Sequence, residues 1–296
     1  MSATSRKLIL VTALLGQLSA CAPMFTPTDP EDAAQFLRVH KTLVNDFELG
    51  YVEAGTAGRP LLVFIHGTPG SWHAFEKLLR HPRLQLCCHM IAVDRLGFGK
   101  SAGSGVQPDF AVQSYAIAQV FKHNQSNGKV IAVGHSLGGS IAAHLALSYP
   151  DEVGGLLVIS GALDPELSRP RWYHRLADLP LVRRIIPPDL QLANEEMLVL
   201  PEALAAMQLT QLDIPIHIIQ GGKDRLVNPR NPAYVERAVN AAHLRVHYFA
   251  EDGHFIIWEK PDFIVDQLLQ LIATVEPMEP TAVGQETDTL DPERAQ

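Results

Sequence analysis

The stretch Gly134-His135-Ser136-Leu137-Gly138-Gly139 constrains this chain more than any other, because it directly follows the run Lys129-Val130-Ile131-Ala132-Val133. That order predicts a buried strand breaking into a sharp turn that presents a serine, with a small-residue helix behind it. It is the G-x-S-x-G nucleophile elbow, in which strained backbone lifts the hydroxyl above the end of a sheet. Glycine flanks the serine where a Cβ would collide with the neighbouring strand and helix. Such a serine is useful only if the rest of the chain supplies the groups it needs.

The middle of the chain alternates strand and helix in the βαβ manner. Leu61 to Ile65 is a continuous apolar run, as a strand buried on both faces should be. Ser71 to Arg80 reads as a helix, Cys88 to Val93 as the next strand, and Phe110 to His123 as a helix ended by Asn127-Gly128. After the elbow, Gly139 to Tyr149 is a helix stopped by Pro150, and Leu156 to Ser160 is a strand. Ile214 to Gln220 and Leu244 to Phe249 add two strands, with a helix from about Pro232 to Val239 between them. Pro261 to Val275 reads as a last amphipathic helix, and Thr42 to Glu53 as a hairpin adding antiparallel strands at one edge. The expectation is a mostly parallel eight-stranded sheet flanked by helices.

One segment breaks the rhythm. About fifty residues rich in Pro, Arg and Leu separate the strand near Gly161 from the one near Ile214. A structureless connection that long is unusual in a compact domain. A small helical cap over about 163–212 explains it better, with helices near Arg171 to Ala177 and Pro201 to Gln208. A flexible excursion with no part in substrate choice is the plainer alternative.

A nucleophilic serine needs a base, a group to orient that base, and donors for the oxyanion. In an open parallel sheet these come from loops at the carboxyl ends of strands. His254, in Glu251-Asp252-Gly253-His254-Phe255, follows the last strand and is the expected base, ahead of His243 and His247. Asp224, in Gly221-Gly222-Lys223-Asp224, again just past a strand end, is the expected acid that fixes the imidazole tautomer. His66-Gly67-Thr68-Pro69-Gly70 lies between a strand and a helix, where an oxyanion amide should sit. The expected donors are the backbone N–H groups of Thr68 and Leu137. No zinc-type spacing occurs, so no metal and no cofactor are expected.

The chain order Ser136, Asp224, His254, the His66-Gly67 loop and the Asp94-Arg95-Leu96-Gly97-Phe98-Gly99-Lys100-Ser101 turn together resemble the α/β-hydrolase superfamily, in its small-cap serine branch. The resemblance runs from about Val39 to Val275. It implies an α/β-hydrolase fold with His66 and the Asp94 to Ser101 turn as scaffolding, and Asp164 as the rival acid, because some relatives supply theirs there. Haloalkane dehalogenases and epoxide hydrolases carry Asp at the elbow, whereas this chain has Ser136. No lipase-type HGGG run is present. The expected activity is therefore hydrolysis of a small-molecule carboxylic ester through an acyl-enzyme. The alternatives are an acyltransferase, thioesterase or amidase with the same residues, and, furthest from the pattern, a non-catalytic envelope lipoprotein. Trp72, Phe98, Trp172, Tyr173 and Leu198 are candidate pocket-lining residues.

Composition bounds the partners. The net charge of −8 offers no basic stripe for nucleic acid. The cluster Arg169, Arg171, Arg175, Arg183 and Arg184 reads as a solvated face, with an anion-attracting rim as the alternative. At the N-terminus, Arg6 and Lys7 precede an apolar run from Leu8 to Leu18 and then Leu18-Ser19-Ala20-Cys21. A positive start, a short apolar segment and small residues before a cut site describe a secretory signal over 1–20. Leu-Ser-Ala-Cys resembles the bacterial lipobox, which implies lipidation of Cys21, a membrane anchor, and a tether over 21–38. Ala22, where enteric lipoproteins held at the inner membrane carry Asp, favours the outer membrane facing the periplasm. The domain itself spans 39–275, and 276–296 reads as a disordered acidic tail. Cys87 and Cys88 are expected as buried free thiols acting as small hydrophobes.

Overall fold

A computed structural model of the protein describes residues 37–105 and 107–275. The predicted signal at 1–20, Cys21 with the tether up to residue 36, and the tail at 276–296 lie outside the described residues.

Eight strands form one sheet: β1 (Arg38–Val44), β2 (Phe47–Gly55), β3 (Leu61–Ile65), β4 (His89–Asp94), β5 (Val130–His135), β6 (Val153–Ile159), β7 (Ile216–Gly221) and β8 (Leu244–Phe249). Their order across the sheet is β1-β2-β4-β3-β5-β6-β7-β8. Strand β2 is antiparallel to both β1 and β4, and every later pair is parallel. The β1–β2 hairpin closes at Val44 opposite Phe47, with Asn45 at φ 52°, a left-handed turn position that Asn tolerates. The apolar runs explain the interior. Leu61, Val63 and Ile65 of β3 face one core while Leu62 and Phe64 face the other, so no position in that strand can be polar.

Among the described residues the α-helices are, in chain order, α1 (Glu76–Leu79), α2 (Pro82–Cys87), α3 (Phe110–Ala118), α4 (Leu137–Ser148), α5 (Trp172–Ala177), α6 (Pro180–Arg183), α7 (Pro188–Ala206), α8 (Asn231–Ala238), α9 (Ile256–Glu259) and α10 (Pro261–Val275). One core lies under α3, α4 and the last turns of α7, through residues such as Ile117, Ile141, Leu145, Leu200 and Leu204. The opposite core lies under α1, α2 and α10, through Leu78, Leu84, Ile264, Leu268 and Leu271. Strand β3 has β4 on one side and β5 on the other. The connections leaving β3 and β5 therefore diverge to opposite faces, and such a switch point opens a crevice at the carboxyl ends of the strands. Ser136 follows β5 at that place.

Several expectations need correction. The segment Ser71 to Arg80 is a 3-10 turn at Trp72–Phe75 followed by the short α1, because its first amide is held sideways: Trp72 N donates to Asp94 Oδ1 at 2.8 Å. Phe110 to His123 divides likewise, α3 giving way to a 3-10 turn at Gln119–His123. In the cap, Pro201 does not start a helix but sits inside the 19-residue α7. A proline within a helix removes one backbone bond; α7 runs through it with Leu200 and Leu204 buried on either side. Finally, Cys87 and Cys88 are not free thiols. They are joined in a disulfide, S–S 2.31 Å, where the chain passes from the end of α2 to extended backbone.

Candidate active site

The turn after β5 has the shape its glycines require. Ser136 has φ 56° and ψ −126°, a conformation an L-residue adopts only when its surroundings impose it. The surroundings are explicit. Ser136 N donates to Ile159 O at 3.0 Å, and Ser136 O accepts from Gly139 N at 2.9 Å. A Cβ on Gly134 would lie 2.2 Å from Gly138 O, and one on Gly138 would lie 2.0 Å from Ile65 O. The helix can thus approach β3 and β5 closely only with glycine at both places, and α4 starts at Leu137, immediately after the serine.

Asp224 and His254 come together from the ends of β7 and β8. The loops after β7 and β8 touch: a Cβ on Gly221 would lie 2.3 Å from Gly253 O. His254 Nδ1–H donates to Asp224 Oδ2 at 2.8 Å, and both side chains are buried. The other carboxylate oxygen, Oδ1, accepts from Leu226 N and Val227 N, each at 2.9 Å. Gln220 Nε2 adds a longer bond of 3.3 Å to Oδ2. With four donors the carboxylate has one orientation, and it fixes Nδ1 of His254 as the protonated nitrogen, which leaves Nε2 as the basic one. The rivals are engaged elsewhere. Asp164 Oδ1 accepts from Glu166 N at 2.9 Å, and its own N–H donates to Asn231 Oδ1 at 2.8 Å. His243 faces Asp213, and His247, on β8, packs against Phe263 of α10.

The loop after β3 lies against the serine. A Cβ on Gly67 would meet Ser136 Cβ at 2.8 Å. His66 behind it has a fixed tautomer: Nε2 accepts from Arg95 N at 2.9 Å, so Nδ1–H donates to Gly67 O at 2.7 Å. Burial, and then the Arg95 charge, hold His66 well below the ordinary histidine range, so it stays neutral. Arg95 is itself fully buried and reaches three places. Its Nε donates to His66 O and its Nη2 to Gly67 O, both at 2.9 Å, and Nη1 meets Glu196 Oε1 of α7 at 2.5 Å. Both carbonyls on the outer side of the loop are thereby occupied. The Thr68 peptide, next in the chain, lines the same cavity as Ser136, Leu137 and His254. Leu137 is the first residue of α4, where a backbone N–H has no partner within the helix.

That cavity has a volume of about 330 Å³. Its floor is Gly67, Thr68, Ser136, Leu137, Asp224 and His254, and its roof is Tyr173 and His174 of α5 with Ala193, Asn194, Met197 and Leu200 of α7. Of the lining residues expected from sequence, only Tyr173 is there. Phe98 packs edge-on against His66, and Trp172 is exposed. His135, the residue before the serine, is an addition. Its ring centroid lies 4.9 Å from that of His254 with the planes tilted by 47°, and its Nε2 donates to His254 O at 3.3 Å. Burial first, and then the proximity of His254, push its pKa down to about 3, so it braces the His254 loop as a neutral group. Glu196 could not be read from sequence at all. Its partner Arg95 lies 101 residues away, and nothing local marks either as a pair.

The comparisons with known proteins agree with this architecture. A family model described as alpha/beta hydrolase fold matches residues 60–199, from the start of β3 to the middle of α7. The structure of Cfl2 from Burkholderia cenocepacia superposes with a TM-score of 0.64 at 19% identity, covering 83% of this chain and all of the other. The chain has the α/β-hydrolase fold. Among curated relatives, epoxide hydrolase 4 of Mus musculus is 32% identical over 112 residues, or 37% of this chain and 30% of that protein. Lipase LipV of Mycobacterium tuberculosis is 31% identical over 118 residues, 40% of this chain and 43% of that protein. The matches thus span less than half the length of either relative, and the family model includes Ser136 but stops short of Asp224 and His254. Among the described residues, no helix is long and apolar enough to cross a membrane.

Proposed function

We propose that this chain is a serine hydrolase that cleaves carboxylic esters through an acyl-enzyme. Ser136 Oγ attacks the ester carbonyl carbon while His254 Nε2 takes its proton, and the carbonyl π pair moves onto oxygen. The backbone N–H groups of Thr68 and Leu137 stabilise that oxyanion, and Asp224 stabilises the imidazolium through Nδ1–H. Collapse expels the alkoxide, which receives the proton from His254. Water, deprotonated by His254, then attacks the acyl carbon of the Ser136 ester; the bond to Ser136 Oγ breaks, His254 returns its proton to that oxygen, and the acid leaves. The observation that carries this reading is the Asp224–His254 hydrogen bond of 2.8 Å opening onto the same cavity as the strained Ser136 turn.

Serine at the elbow supports an acyl-enzyme over an alkyl-enzyme ester. An alkyl-enzyme ester needs a carboxylate nucleophile, and Ser136 supplies a hydroxyl. Epoxide opening of that kind has no starting group here, in spite of the likeness to an epoxide hydrolase. The test is labelling with a fluorophosphonate probe together with turnover of a short-chain nitrophenyl ester. Wild-type protein should label at Ser136 and hydrolyse the ester, and Ser136→Ala should do neither. Equal turnover by the variant sinks the mechanism.

For the N-terminus we propose lipidation at Cys21 after removal of residues 1–20, which anchors the domain to the bacterial envelope membrane. Support comes from the Leu18-Ser19-Ala20-Cys21 run and the preceding apolar segment. Mass spectrometry of the protein made in a bacterial host reads this directly: an N-terminal acylated Cys is expected, and an unmodified Met1 overturns it.

A further inference from the structure

The charges lining the cavity have the opposite sign to the protein as a whole. The chain carries a net charge of −8, yet the charged residues lining the cavity are Arg169, Arg171, Arg225 and Asp224. Asp224 is spent on His254 and on two backbone amides, with its carboxylate buried. The three arginines are exposed at the mouth. Arg169 pairs with Glu166 at the rim. Arg171 and Arg225 meet no carboxylate among the described residues; Arg171 Nη2 donates instead to the backbone O of Arg225 at 2.8 Å. The rest of the arginine cluster behaves differently. Arg183 points outward to Asp178 and Glu195, so only the first part of the cluster turns toward the cavity.

Arg171 immediately precedes α5 in the cap, and Arg225 directly follows Asp224 in the loop after β7. Their contact therefore holds the Arg171 guanidinium, from the roof, against the backbone of Arg225, from the floor, and both residues line the cavity. Planar guanidinium groups match an anionic oxygen group in two-bond geometry, and partial removal from water strengthens such pairs. We propose that Arg171 and Arg225 form an anion subsite, and that the ester cleaved at Ser136 carries an anionic oxygen group on its acyl part. The proposal rests on the ester-hydrolase reading of Ser136 for its reaction, though not for its binding.

The experiment compares three 4-nitrophenyl esters of nearly equal length on the full chain: pentanoate (neutral), hemiglutarate (carboxylate) and 4-phosphonobutanoate (phosphonate). One anionic ester should show a kcat/KM at least about tenfold above the neutral one at low salt, and the advantage should shrink as added salt screens the exposed groups. Which of the two is preferred identifies the anion. In Arg171→Gln and Arg225→Gln the ratio of anionic to neutral kcat/KM should fall toward one, whereas simple structural damage lowers all three esters together and keeps the ratio. A wild-type ratio at or below one for both anions, in protein that labels at Ser136, overturns the subsite and leaves the hydrolase reading standing. If no ester turns over and Ser136 does not label, the reaction reading has failed instead. The subsite is then judged by calorimetry with glutaramate against pentanamide. Tighter glutaramate binding that Arg171→Gln abolishes supports it, and equal binding overturns it.

Discussion

Arg95 and Glu196 meet as a buried ion pair, Nη1 to Oε1 2.5 Å, with neither side chain reaching solvent. One comes from the loop after β4 and the other from the middle of α7, so the pair ties the cap to the sheet. Removing one partner leaves the other as an uncompensated charge, a loss of about 3–5 kcal/mol. Arg95→Met and Glu196→Gln should both lower the urea midpoint, Arg95→Met more, because it also frees the carbonyls of His66 and Gly67. The double variant Arg95→Met/Glu196→Leu should recover only part of the loss, since those two carbonyls remain unpaired. Full recovery would show that the loop does not depend on Arg95.

Glycine at 138 is a steric requirement. An added Cβ meets the backbone oxygens of Ile65 and His66 at 2.0 and 2.5 Å, and neither can move without shifting β3. Gly138→Ala should destabilise the fold by about 1–3 kcal/mol or more, as overpacking does. Gly58→Ala is the control, because nothing lies within 4 Å of its Cβ position. Its positive φ of 80° still carries a conformational cost, about 1 kcal/mol, so the comparison is of degree and is read from thermal unfolding of both.

The two candidate acids make different predictions. If Asp224 orients His254, Asp224→Asn should cut kcat for a nitrophenyl ester by about 10⁴-fold, the scale seen when the base is left in the wrong tautomer. Asp164→Asn should leave kcat within about twofold, because an Asn at 164 can still accept the Glu166 N–H. The reverse ranking would move the acid to 164.

Acid should weaken the fold through histidines kept neutral by burial. His217, burial acting first and the charge of Arg245 next, has its pKa pushed down to about 4, and His135 is down at about 3. Both return to about 6.5 in the unfolded chain, so between these values the unfolded state binds more protons. Stability is therefore full above about pH 6.5 and falls as pH drops through the window toward 4, by up to ~1.4 kcal/mol per pH unit for each group. Urea unfolding at about pH 7, 6 and 5 should show this decline, with a shallower slope in His217→Gln. An unchanged slope in that variant would remove His217 from the account.

Much of this was legible in the sequence because the signals are local. Strands buried on both faces must be uninterrupted apolar runs, and the elbow glycines sit where a Cβ has no room. Asp224 and His254 could be placed by following strand ends alone. What was not legible depends on distant partners. Pro201 reads as a helix start, and α7 runs through it with its apolar face buried and Glu196 paired to Arg95. Arg225 looks like any exposed arginine until the cap places Arg171 beside its backbone. The disulfide of Cys87 and Cys88 depends on a change of backbone direction that two adjacent residues do not announce.

The single helix α7 is both wall and root. Ala193, Asn194, Met197 and Leu200 line the cavity at turn spacing, while Leu200 and Leu204 are also embedded in the core beneath. The roof is thus not a flap that can be exchanged wholesale. Descendants of this chain could acquire a new substrate preference by altering one or two side chains on that helical stripe, leaving the residues below untouched. An insertion within α7 would instead rotate the stripe and unseat the core together.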